Sequence, residues 1–148
     1  MRAPAIIWSL LGMLAIPLLS DTCLAASSPL VSNLKCEYKT NPIGIDVLQP
    51  RLSWKITSSR RAVTQSAYQI RAAEHVDDLH ASKNLLWDSA KVESEQSVHV
   101  VYAGRTPSSR QRIWWQICIW DNQGRRSEWS EPAFWEMGLL KPHEFDRR

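Results

Sequence analysis

From Leu30 onward the chain alternates apolar and polar residues in short runs. Leu34, Cys36 and Tyr38 alternate with Lys35, Glu37 and Lys39, the period of two expected of a strand with one buried face. Asn41-Pro42 and Gly44 break that run. After Pro50, RLSWKI puts Leu52, Trp54 and Ile56 on one face, and SAYQIRAA does the same with Tyr68, Ile70 and Ala72. LLWDS is a short strand candidate, and SVHVVY alternates Val98, Val100 and Tyr102 against Ser97, His99 and Val101. In the longest run, RIWWQICIW, one face carries Ile113, Trp115, Ile117 and Ile119; the other carries Trp114, Gln116, Cys118 and Trp120. Asp121 to Gly124 reads as a turn, and SEWSEPAFWEMG as a last strand with Pro132 at an edge or bulge. HVDDLHASKN is the one weakly helical piece, a single turn capped by Asp77 or Asp78. About seven short strands and almost no helix predict an all-β, antiparallel β-sandwich. It forms one domain over residues 29–140, followed by a loose polar tail, 141–148. Its core is expected from Trp54, Tyr68, Ile70, Ile113, Trp115, Ile117 and Ile119.

The first 26 residues have a different pattern. Arg2 precedes an apolar stretch from Ala5 to Leu19, and CLAAS offers small residues for cleavage after Ala25 or Ala26. This is the layout of a secretory signal peptide over residues 1–26. The stretch is short for a bilayer span and is followed by Asp21 rather than a positive flank. An uncleaved anchor and lipid attachment at Cys23 are the lesser readings. The expected location is exported, periplasmic or extracellular, with no membrane association after cleavage. Loss of Cys23 would leave Cys36 and Cys118, and an oxidising compartment would permit one bridge between them.

Composition narrows the function classes. The 148 residues include 18 Lys+Arg and 15 Asp+Glu, a net charge of +3, too small and too dispersed for a nucleic-acid partner. Asp88 with Glu93, or Glu93 with Glu95, are the carboxylate pairs a glycosidase would need, but KVESEQS reads as a solvated connection. His75 and His80 are five apart, which does not put them on one helical face for a metal. The chain contains no G-x-S-x-G and no phosphate-binding glycine loop. No catalytic residue, metal ligand or cofactor is therefore assigned.

Tryptophan is the unusual feature: eight, against two Phe and three Tyr. Trp8 belongs to the leader, and Trp54 and Trp115 to the core. Trp114 and Trp120 should lie on the outer face of one sheet, with Trp129 close behind Arg125 and Arg126. These five residues admit three readings: a ladder of guanidinium groups stacked on indoles, an interface for a neighbouring domain or subunit, or a platform that stacks sugars.

Taken in order, LKCEYKTNPIGID, PRLSW, QSAYQIRAA, LLWDSAKVES, QSVHVVYAG and RIWWQICIWDNQGRRSEWSEPAFWEMGLL resemble the N-terminal fibronectin type III-like domain of bacterial α-L-rhamnosidases, which are multidomain glycoside hydrolases. The resemblance spans about Leu30 to Leu140 and implies an immunoglobulin-like sandwich. It also implies that catalysis resides in a downstream helical barrel, outside this chain. Family members run on into a second β-sandwich, whereas this sequence reads KPHEFDRR; the expectation is a truncated or split fragment. Its partners would be the other domains of a rhamnosidase, with carbohydrate as the alternative. In the type III topology Cys36 and Cys118 fall in opposite sheets with Cys118 pointing outward, so no disulfide is expected. Arg126-Ser127-Glu128-Trp129-Ser130 is similar to the W-S-x-W-S box of cytokine receptors without its first Trp, and implies a Trp–Arg stack before the last strand. The resulting expectation is a non-catalytic structural domain; the alternative is a carbohydrate-binding module.

Overall fold

The computed structural model describes residues 28–141. The leader, residues 1–26, and residues 142–148 of the tail lie outside the described residues. Nine strands and one short helix follow one another: β1 (Leu30–Cys36), β2 (Ile43–Ile45), β3 (Arg51–Thr57), β4 (Gln65–Ala73), α1 (Val76–Ala81), β5 (Trp87–Asp88), β6 (Val92–Glu93), β7 (Val100–Val101), β8 (Arg112–Asp121) and β9 (Ala133–Met137). They form two sheets, β1-β3-β7 and β2-β9-β8-β4-β5, with β6 also paired to β4. β4 and β8 pair antiparallel from Gln65↔Asp121 to Ala73↔Trp114 and form the spine of the larger sheet.

The core fills the space between the sheets. Trp54, Tyr68, Ile70, Ile113, Trp115, Ile117 and Ile119 are all buried, together with Leu52, Val100, Tyr102, Trp135 and Met137. Trp54 meets Tyr68 edge-to-face at 5.4 Å. Its indole N–H donates to Gln65 Oε1 at 3.0 Å, and Gln65 in turn donates to the carbonyls of Ser94 and Gln96. Tyr102 lies edge-on to both Trp87 and Trp135, each at 5.2 Å. Each such ring removes roughly 150–250 Å² from water, about 4–6 kcal/mol of gross driving force before conformational entropy is subtracted. Gly104 is required beside this cluster, because a Cβ there would stand 2.5 Å from Trp87 Cβ and from the Tyr102 hydroxyl.

The structure departs from simple alternation in several places. β2 runs parallel to β9, so the larger sheet is mixed, while β1-β3-β7 is purely antiparallel. Tyr38 leaves the β1 pattern and is exposed. Glu37 and Tyr38 both have positive φ (46° and 66°), forming a two-residue turn closed by reciprocal Cys36–Lys39 backbone bonds. His99 also has positive φ (57°), which shortens β7 to two residues and leaves Val98 exposed. In α1 the capping position is His75, which makes no side-chain cap bond. Asp77 and Asp78 lie within the first turn, at the positive end of the helix, and Leu79 is buried as α1 packs on β4 and β8. Cys36 and Cys118 are free and buried in opposite sheets. Burial, reinforced by the neighbouring Glu37 charge, pushes the Cys36 thiol up to about 12. Among the described residues no helix is long and apolar enough to cross a membrane.

Candidate functional site

Strand alternation turns Ala67, Gln69, Arg71 and Ala73 of β4 outward beside Trp120, Cys118, Gln116 and Trp114 of β8. This outer face is not open. Ala67, Ala73 and Cys118 have no exposed area and Gln116 is almost fully buried. Part of the cover is the segment between β8 and β9. β9 pairs with β8 only from Arg112 to Trp115. Beyond that point the Ser130 and Ser127 hydroxyls accept from the amides of Ile117 and Ile119, at 3.1 and 3.0 Å. The amides of Ser130 and Ser127 donate to the carbonyls of the same two residues, each at 2.8 Å. Two serines thus satisfy both backbone groups at each of two β8 positions, which a strand would otherwise do.

This pairing holds Trp129 over the sheet, where cations and indoles alternate. Arg71 lies 4.6 Å from the Trp129 ring centre. Arg126 lies 5.2 Å from Trp129 and 5.7 Å from Trp120, and Lys91 lies 5.1 Å from Trp120. The order is Arg71, Trp129, Arg126, Trp120, Lys91. Arg126 also donates from Nε to Cys118 Sγ at 3.4 Å. Burial raises the Cys118 thiol pKa and outweighs the pull of that guanidinium. Asp88 anchors the Arg71 end, 3.0 Å away. Burial alone would raise its pKa, but bonds from Gln69, the Ala90 amide and Arg71 outweigh this and hold the carboxyl below its ordinary value.

Arg125 does not join the stack. It forms an ion pair with Asp121 at 3.1 Å and also donates to Gln123 Oε1. Asp121 has no exposed area. It receives Arg60 at 2.6 Å and the amides of Gln123 and Arg125, both at 2.9 Å. One carboxylate therefore ties the loop after β3 to the turn after β8. Trp114 stands apart as well, 5.0 Å from Phe134, whose other partner is Arg112, 4.4 Å from the ring centre. Of the five residues singled out, the fold brings Trp120, Trp129 and Arg126 together and directs Arg125 and Trp114 elsewhere. Sequence reasoning missed Arg71 and Lys91, the distant partners that complete the ladder, and Arg60, which joins Arg125 on Asp121. The outward position of Arg71 between Gln69 and Ala73 was the available signal.

As chemistry, the face offers filled positions. Both indoles carry cations, so a ring stacking there would have to displace one. Asp88 is held ionised, the wrong state for a general acid, and Glu93 pairs with Lys91 at 2.7 Å. Among the described residues, no cluster of three or more His, Cys, Asp or Glu could hold a metal.

The model of the Rha78A-like, N-terminal immunoglobulin domain matches residues 31–141. The chain belongs to this family. Relatives of this N-terminal immunoglobulin domain include an α-L-rhamnosidase of Streptomyces avermitilis, 44% identical over 110 residues that make up 74% of this chain and 10% of the relative. An α-L-rhamnosidase of Formosa agariphila is 39% identical over 69% of this chain and 11% of its own length. The domain superposes on the crystal structure of the S. avermitilis α-L-rhamnosidase complexed with L-rhamnose with a TM-score of 0.76 and 39% identity, covering 80% of this chain and 11% of that one. The α-L-rhamnosidase of Dictyoglomus thermophilum gives the same TM-score at 28% identity, covering 79% of this chain and 13% of that one. The chain thus spans about a tenth of the length of the curated relatives it matches.

Proposed function

We propose that this sandwich is the accessory, non-catalytic N-terminal domain of an exported α-L-rhamnosidase. In that role it braces the other domains, and rhamnoside hydrolysis is carried out elsewhere in the enzyme. The observation that carries the reading is the shape of the match: 44% identity over most of this chain, confined to a tenth of the S. avermitilis relative. The export part rests on the leader pattern of residues 1–26. The ion-paired state of Asp88 and Glu93 fits a domain without acid–base chemistry, and the occupied faces of Trp120 and Trp129 favour a structural ladder over sugar stacking.

Two assays on the purified 148-residue chain test this. With p-nitrophenyl α-L-rhamnoside, no p-nitrophenol release above the no-protein control is expected; turnover would overturn the reading. Tryptophan fluorescence should not change on addition of L-rhamnose or rhamnosylated glycans up to millimolar concentration. A saturable change that Trp120→Ala or Trp129→Ala abolishes would replace the bracing role with that of a carbohydrate-binding module.

A further inference from the structure

We propose that Ile43, Val47 and Leu48 form the apolar contact through which the sandwich packs on the polypeptide that follows it in a full-length enzyme. The proposal rests on the accessory-domain reading and adds to it the surface used and the chemistry of the partner, an apolar, uncharged face of the next domain.

Three observations carry it. First, these side chains are large, apolar and exposed: Ile43 by 69%, Val47 by 42% and Leu48 by 44%. β2 is the outermost strand of its sheet and pairs only with β9. The four residues that follow it, Asp46 to Gln49, are all exposed. Second, the last strand ends beside β2. The Gly138 amide donates to the Ile45 carbonyl at 2.7 Å, and a Cβ on Gly138 would lie 3.4 Å from the Gly44 carbonyl. The departing backbone is fixed on its other side as well: the Arg110 amide donates to the Gly138 carbonyl at 3.1 Å, and the Leu140 amide donates to Ser109 Oγ at 3.0 Å. From Gly138 to Lys141 the chain can travel at most about 10 Å, so whatever follows starts close to this loop. Third, the relatives have a large body to place there. Their matched segment is the N-terminal domain and makes up 10% of the S. avermitilis enzyme.

A second exposed apolar group is less available. Tyr38, which shares a recess with Val98, already has His99 edge-on at 5.2 Å and Arg51 over its ring at 5.2 Å. Ile43 and Val47 line one recess together with Glu37, Lys39 and Asp46, and aliphatic groups within such a polar surround gain most from a dry apolar partner.

The test replaces the aligned 110 residues of the S. avermitilis α-L-rhamnosidase with residues 31–141. Hydroxyl-radical footprinting then compares this graft with the 148-residue chain. Oxidation of Ile43, Val47 and Leu48 should fall about fivefold or more in the graft, as for side chains moved into a dry interface, while Tyr38 and Val98 change less than about twofold. In the graft, Val47→Asp with Leu48→Asp should restore the oxidation of Ile43; in the 148-residue chain the same pair should leave the melting temperature unchanged. Equal oxidation of the three residues in both proteins would overturn the proposal. Protection of Tyr38 and Val98 instead would overturn it while leaving the accessory-domain reading intact. No protection anywhere on the sandwich, with rhamnoside cleavage unchanged when the sandwich is deleted, would overturn both. If the graft does not assemble, amide exchange decides on the natural S. avermitilis enzyme. The segment aligned with residues 46–49 should exchange at least about tenfold more slowly there than residues 46–49 do in the 148-residue chain; equal rates would overturn the proposal.

Discussion

The two faces of β8 are covered by different physics. On the inner face, Ile113, Trp115, Ile117 and Ile119 have no exposed area and pack against the opposing sheet. Dispersion and loss of apolar surface to water are sufficient there. On the outer face, Cys118 and Gln116 are buried just as deeply, but under a cation–indole ladder and two serine-paired backbone positions. The inner face depends on volume and shape, and the outer face on charge and on contacts between residues far apart in sequence. The difference teaches that burial alone does not identify a core: one strand can be enclosed by a robust apolar layer and by a chargeable one.

This contrast sets the order of mutational effects. Trp115→Ala opens a void in the inner layer and should cost about 3–5 kcal/mol in urea unfolding; a loss below about 1 kcal/mol would mean that the inner face is not the dominant layer. Asp121→Ala leaves Arg60 and Arg125 without their shared carboxylate. It should cost about 2–3 kcal/mol, below the range for a fully buried pair because both guanidinium groups remain partly hydrated. Arg126→Ala removes two stacking contacts and should cost about 1–2 kcal/mol. Arg126→Lys should recover only part of this, since a point charge cannot lie flat between two indoles, and full recovery would show that charge alone matters.

The smallest expected effect is on pH dependence. The Glu37 carboxyl is held below its ordinary value of 4.5, first by the side-chain bond from Arg51, against the opposing effect of burial. Asp88 is held below 3.8. Both are acids with depressed pKa in the fold, so their contributions are present above those ordinary values and are lost as pH falls through the lower folded ones. Thermal melts from pH 6 to 2 should show stability falling below about pH 4.5. Glu37→Gln should flatten the upper part of that slope and Asp88→Asn the lower part. Asp88 anchors Arg71, so its protonation should loosen the ladder while leaving the inner layer intact. Tryptophan emission should therefore shift before the cooperative transition, and coincident changes would show that the two faces respond as one.

The sandwich could be read from sequence because alternation records which face of a strand meets the opposing sheet. β3, β4 and β8 carry that record clearly: Trp54, Tyr68, Ile70 and the four inward residues of β8 are buried. Trp135 was equally available, since Ala133, Trp135 and Met137 alternate and are all buried. The outer face could not be read in this way. Cys118 points away from the core and is still fully buried, because its cover comes from Arg126 and the segment around it. Asp121 reads as a polar turn residue, yet it is sealed by Arg60, 61 positions away. Positive φ at Tyr38 and His99 also escaped, since local backbone reversals leave the polar–apolar sequence unchanged. The motif at Arg126 to Ser130 implied a Trp–Arg stack, but not Arg71 and Lys91, which close the ladder at either end.

The serine pairing on β8 has a consequence for how copies of this chain behave when crowded. Where β9 stops at Trp115, β8 would otherwise present free amides and carbonyls at Ile117 and Ile119, in one of the most apolar stretches of the sequence. A bare edge of that kind invites strand addition from another molecule and growth into aggregates. Ser127 and Ser130 occupy those groups with hydroxyls and amides that cannot template a further strand. A short loop thereby acts as a plug at the point where the longest strand runs past its neighbour.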